Sequence, residues 1–219
     1  KRVLDDKQRE SISKIPNDFP FTEKQQIVVD STKSNQIFKT KKFYYDLKKF
    51  KPPIYFFDFE TLSCAIPTID NTKPFEKLPF QWSLHHLDSN DKVNHWEYLA
   101  TEIKDYRKEC IEKLINIVVK DNSKIVAYNQ SFEKSVLKQL GNIFPELIEP
   151  INNIIDRIID LEVFIKDNYY HPEFQGSYSL KKVLPALLPN EKKYNEGSVS
   201  DGEQAQESFY NLLFEEKDL

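Results

Sequence analysis

Methionine is absent from all 219 residues of the chain, which begins with Lys1. Because a primary translation product starts with methionine, we expect this chain to be a piece of a longer protein. Only two cysteines are present, Cys64 and Cys110, and they form no Cys-x-x-Cys pair. This scarcity argues against a disulfide framework or a zinc site. Cys110 lies in a helical apolar pattern, which indicates a small buried side chain.

Long apolar runs are also missing. No segment approaches the roughly 18 apolar residues that a membrane span requires. The N-terminal stretch KRVLDDKQRE is charged and lacks the apolar part of a secretory signal. The mean hydropathy is −0.61, and 39% of residues are hydrophobic, which is typical of a globular protein on the polar side. We therefore expect a cytoplasmic protein with no membrane contact.

Basic residues do not predominate, since 31 Lys and Arg stand against 35 Asp and Glu, a formal net charge of −4. This balance argues against a broad, nonspecific coat of nucleic acid. It does not exclude a nuclease. A metal site requires clustered carboxylates, and the bound cations then restore positive charge locally.

What the chain does contain is an alternation of strand and helix patterns. Residues 1–50 are predicted to be a helical lead-in or the tail of an upstream domain, and Pro52–Pro53 opens a domain over 51–219. Strands are predicted near 54–57, 80–87, 95–99 and 124–128. The run at 54–57 is apolar throughout, which indicates a strand buried on both faces. Helices are predicted over 105–119, from 131, within 144–165, over 179–188 and from a capping box at 200–203. This order predicts an α/β fold, in which helices flank a mixed sheet made of an antiparallel meander and a parallel strand.

The strongest local signal is the segment FDFET, which follows the apolar run. Alternate residues of a strand share a face, so Asp58 and Glu60 should project the same way. Two carboxylates at the end of a buried strand are costly unless a cation compensates them. Oxygen ligands suit Mg²⁺ or Mn²⁺. The alternative is that Asp58 caps a turn and that Glu60 is solvated.

Three further acids follow apolar segments. Glu133 lies in a first helical turn, after a strand whose carboxyl end is where ligands gather in α/β sheets. Asp201 opens the last helix, and Asp160 follows two isoleucines. For each of them the alternative is a cap or a favourable interaction with the helix dipole, worth up to about 1 kcal/mol.

The order of these segments resembles that of the DEDD (DnaQ-like) superfamily of 3′–5′ exonucleases. YFFDFET is similar to the first motif, VAYNQSFEKSVL to the second and SVSDGEQAQESF to the third. The stretch IIDLEVFIKDNYYHPEFQGSYSLKKVLPALLP is similar to the family's Asp-Leu/Thr element followed by Ser-Leu-Lys. Residues from about 54 to 215 also resemble an uncharacterised bacterial domain family, in which this domain follows a RecB-like nuclease region.

The resemblance implies an RNase H-like fold and a hydrolase that cleaves phosphodiester bonds at the 3′ end of DNA or RNA, using two Mg²⁺ or Mn²⁺ ions. It assigns catalysis and metal binding to four acids: Asp58, Glu60, Glu133 and Asp201. Asp160 and Asn129 are candidates for orienting these ligands through hydrogen bonds. Candidate substrate contacts are Phe59, Thr61, Ser179 and Lys181. The implied partners are nucleic acid and an upstream RecB-like region of the full-length protein.

Two departures from the superfamily pattern keep alternatives open. Glu133 stands where the second motif usually has Asp, and Glu196 and Gly197 occupy the places of the His or Tyr that precedes the Asp of the third motif. The general base is therefore not identified, and the candidates are His171, Tyr178 and Tyr194. One alternative is a catalytically weak or inactive RNase H-like module that binds nucleic acid and supports an attached nuclease domain. Another is a protein-interaction domain of a repair or defence complex.

Overall fold

The computed structural model describes residues 11–16, 18–102, 104–190 and 202–214. The described chain divides into two compact units. The first comprises residues 11–49 and 162–190, and the second comprises 50–161 and 202–214. The second unit begins at Phe50, and residues 162–190 group with the N-terminal segment.

The first unit consists of short elements from both ends of its sequence. Its N-terminal part carries helix α1 (Glu23–Ser34), strand β1 (Phe38–Lys39) and helix α2 (Phe43–Leu47). Its second part carries most of helix α6 (Leu161–Asn168), strand β7 (Tyr169–Tyr170) and helix α7 (Leu180–Leu187). Thr22 and Gln25 form a capping box that starts α1, and β1 pairs antiparallel with β7. The helix predicted over 179–188 is confirmed as α7, which contains Pro185.

The second unit is built on a mixed sheet of five strands. These are β2 (Ile54–Leu62), β3 (Leu78–Leu87), β4 (Val93–Leu99), β5 (Lys124–Ala127) and β6 (Ile158–Asp160). The spatial order is β4-β3-β2-β5-β6, with antiparallel pairing from β4 to β2 and parallel pairing from β2 to β6. Helices α3 (Arg107–Val118), α4 (Ser131–Ile143), α5 (Ile148–Arg157) and α8 (Gly202–Phe214) pack against it. The predicted α/β class with a mixed, helix-flanked sheet is confirmed.

Strand β6 corrects the prediction that helices fill residues 144–165. The helical pattern ends at Arg157, and the chain then extends beside β5, where Ile125 pairs with Ile158 and Ala127 pairs with Asp160. Ile158 is buried in the core by this pairing. Three residues are too short a stretch to show a strand period, so only the neighbouring strand determines their conformation.

The central strand β2 is not buried on both faces, contrary to the prediction. Tyr55, Phe57 and Phe59 are buried, and the aromatic rings of Phe57 and Phe59 pack edge to face. On the opposite face Phe56 is 40% exposed, and Asp58 two residues later is also exposed. The strand thus has one core face and one accessible face that carries Asp58 and Glu60.

One apolar core joins the helices to the buried face of the sheet. Phe80 of β3 stacks on Phe209 of α8, with ring centroids 4.0 Å apart. Trp82 donates from Nε1 to the Cys110 carbonyl oxygen at 2.9 Å, so its polar atom is satisfied inside the core. Cys110 is a free, fully buried thiol, as the sequence predicts. Within the described ranges, no helix has both the length and the apolar character needed to cross a membrane.

Arg157 lies at the amino-terminal end of β6 and donates hydrogen bonds to backbone carbonyl groups near the amino-terminal end of β5. Its side chain is buried and donates from Nε to the Ser123 carbonyl oxygen and from Nη1 to the Val118 carbonyl oxygen, both at 2.8 Å. Nη1 also reaches Asn153 Oδ1 at 3.2 Å. A guanidinium can serve all three acceptors at once because its donors form a planar fork.

We therefore expect Arg157→Lys to lower the free energy of unfolding by about 2–4 kcal/mol, because a lysine ammonium leaves buried carbonyl groups without donors. Urea denaturation measures this loss. As a control, truncation of the exposed Lys120 to alanine should change stability by no more than about 0.5 kcal/mol. If Arg157→Lys changes the free energy of unfolding as little as the Lys120 control does, the hydrogen bonds of Arg157 do not contribute to stability as expected.

Candidate functional site

Acidic side chains converge at one edge of the sheet. Strands β2, β5 and β6 run parallel, so their carboxyl ends lie at the same edge. Asp58 and Glu60 belong to the part of β2 that extends beyond β5, Glu133 lies in the first turn of α4, and Asp160 ends β6. The negative charges of Asp58 and Asp160 both raise the pKa of Glu133, so each of these two carboxylates lies within electrostatic reach of Glu133. We call this set, together with Glu60, the acidic edge.

Asp160 supports the turn between β5 and α4. Its Oδ1 accepts a hydrogen bond from the backbone N–H of Asn129 at 3.3 Å, and its Oδ2 accepts one from Gln130 at 3.0 Å. Asn129 has a φ of 66°, a left-handed conformation that asparagine tolerates better than most residues, and its side chain accepts a hydrogen bond from Ser131. Asp160 and Asn129 thus both hold the start of the helix that carries Glu133.

Among the described acidic residues, Glu133 has the smallest exposed surface. Only 2% of its surface is exposed, and its Oε2 has no hydrogen-bond partner. Burial is the largest cause of its raised pKa, and the charges of Asp58 and Asp160 add to it. A hydrogen bond with its own backbone and the charge of Lys77 oppose it, and the resulting pKa is about 8. Burial therefore favours the protonated form of this carboxyl group at neutral pH.

Asp58 lies on the accessible face of β2. By surface area the residue is exposed, yet desolvation raises the pKa of its carboxyl group. The two observations differ because a group can be open to water on one side and have dense protein on the other. The surface area decides access, so we take Asp58 as reachable by a ligand from solvent.

Glu60 faces the start of the last helix. A Cβ atom placed on Gly202 would lie 3.2 Å from Glu60 Oε2, so only a residue without a side chain leaves this close approach unstrained. Asp201, the fourth acid of the predicted set, and Tyr194, one of the candidate bases, lie outside the described residues.

The chemistry of the acidic edge suits a hard divalent cation, but the spacing of its acids does not form a complete metal site. Its donors are all carboxylate oxygens, and Glu133 Oε2 is a buried acceptor that lacks a donor. However, no group of three or more His, Cys, Asp or Glu residues among the described ones is close enough together to hold a metal ion. Asp58, Glu60 and Glu133 are thus gathered at one edge but do not form a closed ligand shell.

The substrate contacts predicted on β2 are corrected by the structure. Phe59 and Thr61 point to the core face, where 2% and 6% of their surfaces are exposed. A ring that stacks on a base must have an open face, and the ring of Phe59 is covered by the core. The same alternation that exposes Asp58 buries the residues beside it.

The remaining candidates belong to the first unit, whereas the acidic edge belongs to the second. His171 accepts a hydrogen bond at Nδ1 from the Glu173 N–H, at 3.1 Å. Tyr178 packs on Tyr170 and Phe174, and burial raises the pKa of its hydroxyl. Ser179 precedes α7, and Lys181 lies in its first turn. These four candidates and the acidic edge therefore belong to different units.

No pattern in the sequence points to Lys77, which the structure places beside the start of the helix that carries Glu133. Its Nζ lies 4.6 Å from the centroid of the Phe132 ring, and its charge acts on Glu133. The lysine is more than 50 residues from Glu133 along the chain, and no motif spacing joins the two. Only the pairing of Leu62 with Leu78, which brings the end of β2 beside the start of β3, could have revealed it.

Comparison with protein families identifies one whose function is unknown. The family described as "Domain of unknown function (DUF2779)" matches residues 55–179, which is more than half of the chain. The matched region contains Asp58, Glu60, Glu133 and Asp160 but not Asp201. No solved structure gives a significant match.

The chain is also similar to part of three longer bacterial proteins. "Uncharacterized protein MG366" of Mycoplasma genitalium (strain ATCC 33530 / DSM 19775 / NCTC 10195 / G37) is 30% identical over 178 residues, which cover 73% of this chain and 26% of that protein. "Uncharacterized protein UU173" of Ureaplasma parvum serovar 3 (strain ATCC 700970) is 29% identical, over 64% of this chain and 22% of that protein. "Uncharacterized protein MG366 homolog" of Mycoplasma pneumoniae (strain ATCC 29342 / M129 / Subtype 1) is 28% identical, over 78% of this chain and 29% of that protein. The chain thus spans about a quarter of the length of these relatives.

Proposed function

The chain belongs to the DUF2779 family, and on that premise we propose that its second unit is an RNase H-like, metal-dependent 3′–5′ exonuclease acting on DNA or RNA. The observation that carries the proposal is Glu133. A buried carboxyl group with an oxygen that lacks a partner, beside Asp58 and Asp160, is costly in its ionised form unless a cation joins it.

The strand arrangement supports the same proposal. The antiparallel trio β2 to β4, then a helix, then the parallel strand β5 follow the order predicted from the sequence, and β6 adds a second parallel strand beside β5. The acids fall at the carboxyl ends of the parallel strands, where α/β proteins bind ligands. A RecB-like nuclease region upstream in the full-length protein, and a cytoplasmic location, belong to the proposal as well.

In this proposal, Asp58, Glu60, Glu133 and Asp201 would hold two Mg²⁺ or Mn²⁺ ions. Such ions, when bound, supply activation of a water molecule and stabilisation of charge on the leaving oxygen. The side chains of the protein would orient the carboxylates, and the Glu133 carboxyl group would bind or release one proton. Asp160 fixes the turn that carries Glu133. The raised pKa of Glu133 favours a proton on its carboxyl group at neutral pH, and a bound cation would displace that proton.

The test is digestion of 5′-labelled single-stranded and duplex DNA and RNA in the presence of Mg²⁺ or Mn²⁺. We expect a ladder of products that shortens from the 3′ end, and immediate release of mononucleotide from a 3′-labelled substrate. A fixed set of internal fragments would indicate an endonuclease and contradict the proposal. Intact substrate with every metal would also contradict it.

One observation favours a second candidate, a catalytically inactive RNase H-like module that binds nucleic acid. In the described part of the chain, the carboxylates are not gathered closely enough for three of them to bind one ion. This candidate is favoured if the substrates of the digestion assay stay intact but bind to the protein.

A further inference from the structure

Lys77 reaches the acidic edge from the segment between β2 and β3. Its Nζ lies 4.6 Å from the centroid of the Phe132 ring and donates to Ser135 Oγ at 3.2 Å. Phe132 and Ser135 belong to the start of α4 and lie on either side of Glu133 in the sequence. The ammonium group therefore lies beside the helix turn that carries Glu133.

The backbone beneath Lys77 is held by side chains of two helices. Gln139 of α4 donates from Nε2 to the Lys77 carbonyl oxygen at 2.8 Å. The preceding Glu76 accepts from Arg107 Nη1 of α3 at 2.8 Å, and it also accepts from the Lys73 N–H at 2.9 Å. Because the backbone is already fixed, a ligand bound by Lys77 would pay little entropy for ordering it.

The charge of Lys77 is available, unlike that of the neighbouring arginine. Arg107 is buried between Glu76 and Asp105, with both ion pairs at 2.8 Å. In the described ranges Lys77 forms no ion pair at contact distance. A lysine ammonium has three donors, and Ser135 and the Phe132 ring leave room for others.

We propose that Lys77 binds a phosphate of the nucleic acid substrate and thereby positions the phosphodiester at the acidic edge, while the Phe132 ring holds the ammonium in place. The inference rests on the function proposed above and names a substrate contact for it. The lysine ammonium is a compact point charge of the kind that binds phosphate, and each such contact adds to the affinity for nucleic acid. The competing role, in which Lys77 only offsets the charge of Glu133, is an outcome of the test.

The test compares Lys77→Met with Lys92→Met. Methionine keeps an unbranched apolar side chain over Phe132 and removes only the charge, and the exposed Lys92 lies in the β3–β4 hairpin at the opposite end of β3. Both changes are made in the 219-residue chain with Asp58→Asn, which prevents hydrolysis. Binding of a 5′-fluorescein single-stranded oligonucleotide is followed by anisotropy at several salt concentrations without metal.

We expect Lys77→Met to raise Kd about 5- to 10-fold at low salt and to reduce the salt slope by about 0.7, the value for one lost contact to a single strand. Lys92→Met should stay within about twofold of the parent, and Lys77→Arg should restore binding. Equal Kd values for Lys77→Met and Lys92→Met would overturn the inference, and so would a chain that binds no oligonucleotide. If binding depends on Lys77 but the wild-type chain digests nothing, the phosphate contact stands and the exonuclease proposal fails.

Discussion

Asp58→Asn is expected to reduce the rate of 3′ digestion by at least about 10³-fold, or about 4 kcal/mol of transition-state stabilisation. Asp58 is the acid on the accessible face of β2 and the neighbour of buried Glu133. Asparagine keeps the shape of the side chain and removes its charge, so the sheet should be undisturbed while the affinity for a divalent ion falls. The measurement is the initial rate of mononucleotide release at saturating Mn²⁺.

A matched control distinguishes the loss of a site residue from the loss of any negative charge on the protein. Asp91 is exposed in the β3–β4 turn, at the opposite end of the sheet, and has a φ of 60° that asparagine tolerates well. Asp91→Asn should leave the rate within about twofold. Mn²⁺ should raise the Tm of the wild type and of Asp91→Asn but not of Asp58→Asn. An Asp58→Asn chain with wild-type activity would remove Asp58 from the reaction.

The second large effect concerns the proton on Glu133. Its pKa rises from an ordinary 4.5 to about 8 on folding, chiefly because the carboxyl group is buried. Between these two pH values the folded state keeps a proton that the unfolded state has released. The stabilising effect of that proton is complete below pH 4.5 and is lost as the pH rises through 8.

We therefore expect Glu133→Gln, without metal, to be more stable than the wild type above pH 8 by an amount on the order of a few kcal/mol. At pH 5 the two chains should be nearly equal, because the wild-type carboxyl group is then neutral like the amide. Urea denaturation at pH 5, 7 and 8.5 in the presence of a chelator measures the difference.

Glu149→Gln is the matched control, since Glu149 also lies in a first helical turn but is exposed. Its curve should run parallel to that of the wild type at every pH. If the Glu133→Gln curve does the same, the carboxyl group is not protonated in the folded state. Under the proposed function, Mn²⁺ should recover the stability of the wild type at pH 8.5 but not improve Glu133→Gln.

Much of the second unit was predictable because its signals are local. The apolar run before Asp58, the turn-rich hairpin after β3 and the apolar stripe of α3 each predict their element without reference to the rest of the chain. β6 and the pairing of β1 with β7 were not predictable in the same way. These strands are two or three residues long, and only a neighbouring strand makes them extended.

The acidic edge was likewise predictable only in those features that depend on residues close together in the sequence. The strand period placed Asp58 and Glu60 on one face, and the structure agrees with that placement. The period also puts Phe59 and Thr61 on the other face, but the sequence cannot say which of the two faces the core covers. The substrate contacts predicted at these two positions were therefore wrong.

The sequence by itself determined the α/β class, the position of the central strand and the alternation of its acids, because these depend on residues a few places apart. The tertiary structure decided that Glu133 is buried without a partner for Oε2, that Asp160 holds the turn before it, and that Lys77 lies over Phe132. Burial, charge coupling and ring contact depend on distances between residues remote in the chain, and those distances follow only from the pairing of strands and the packing of helices against them.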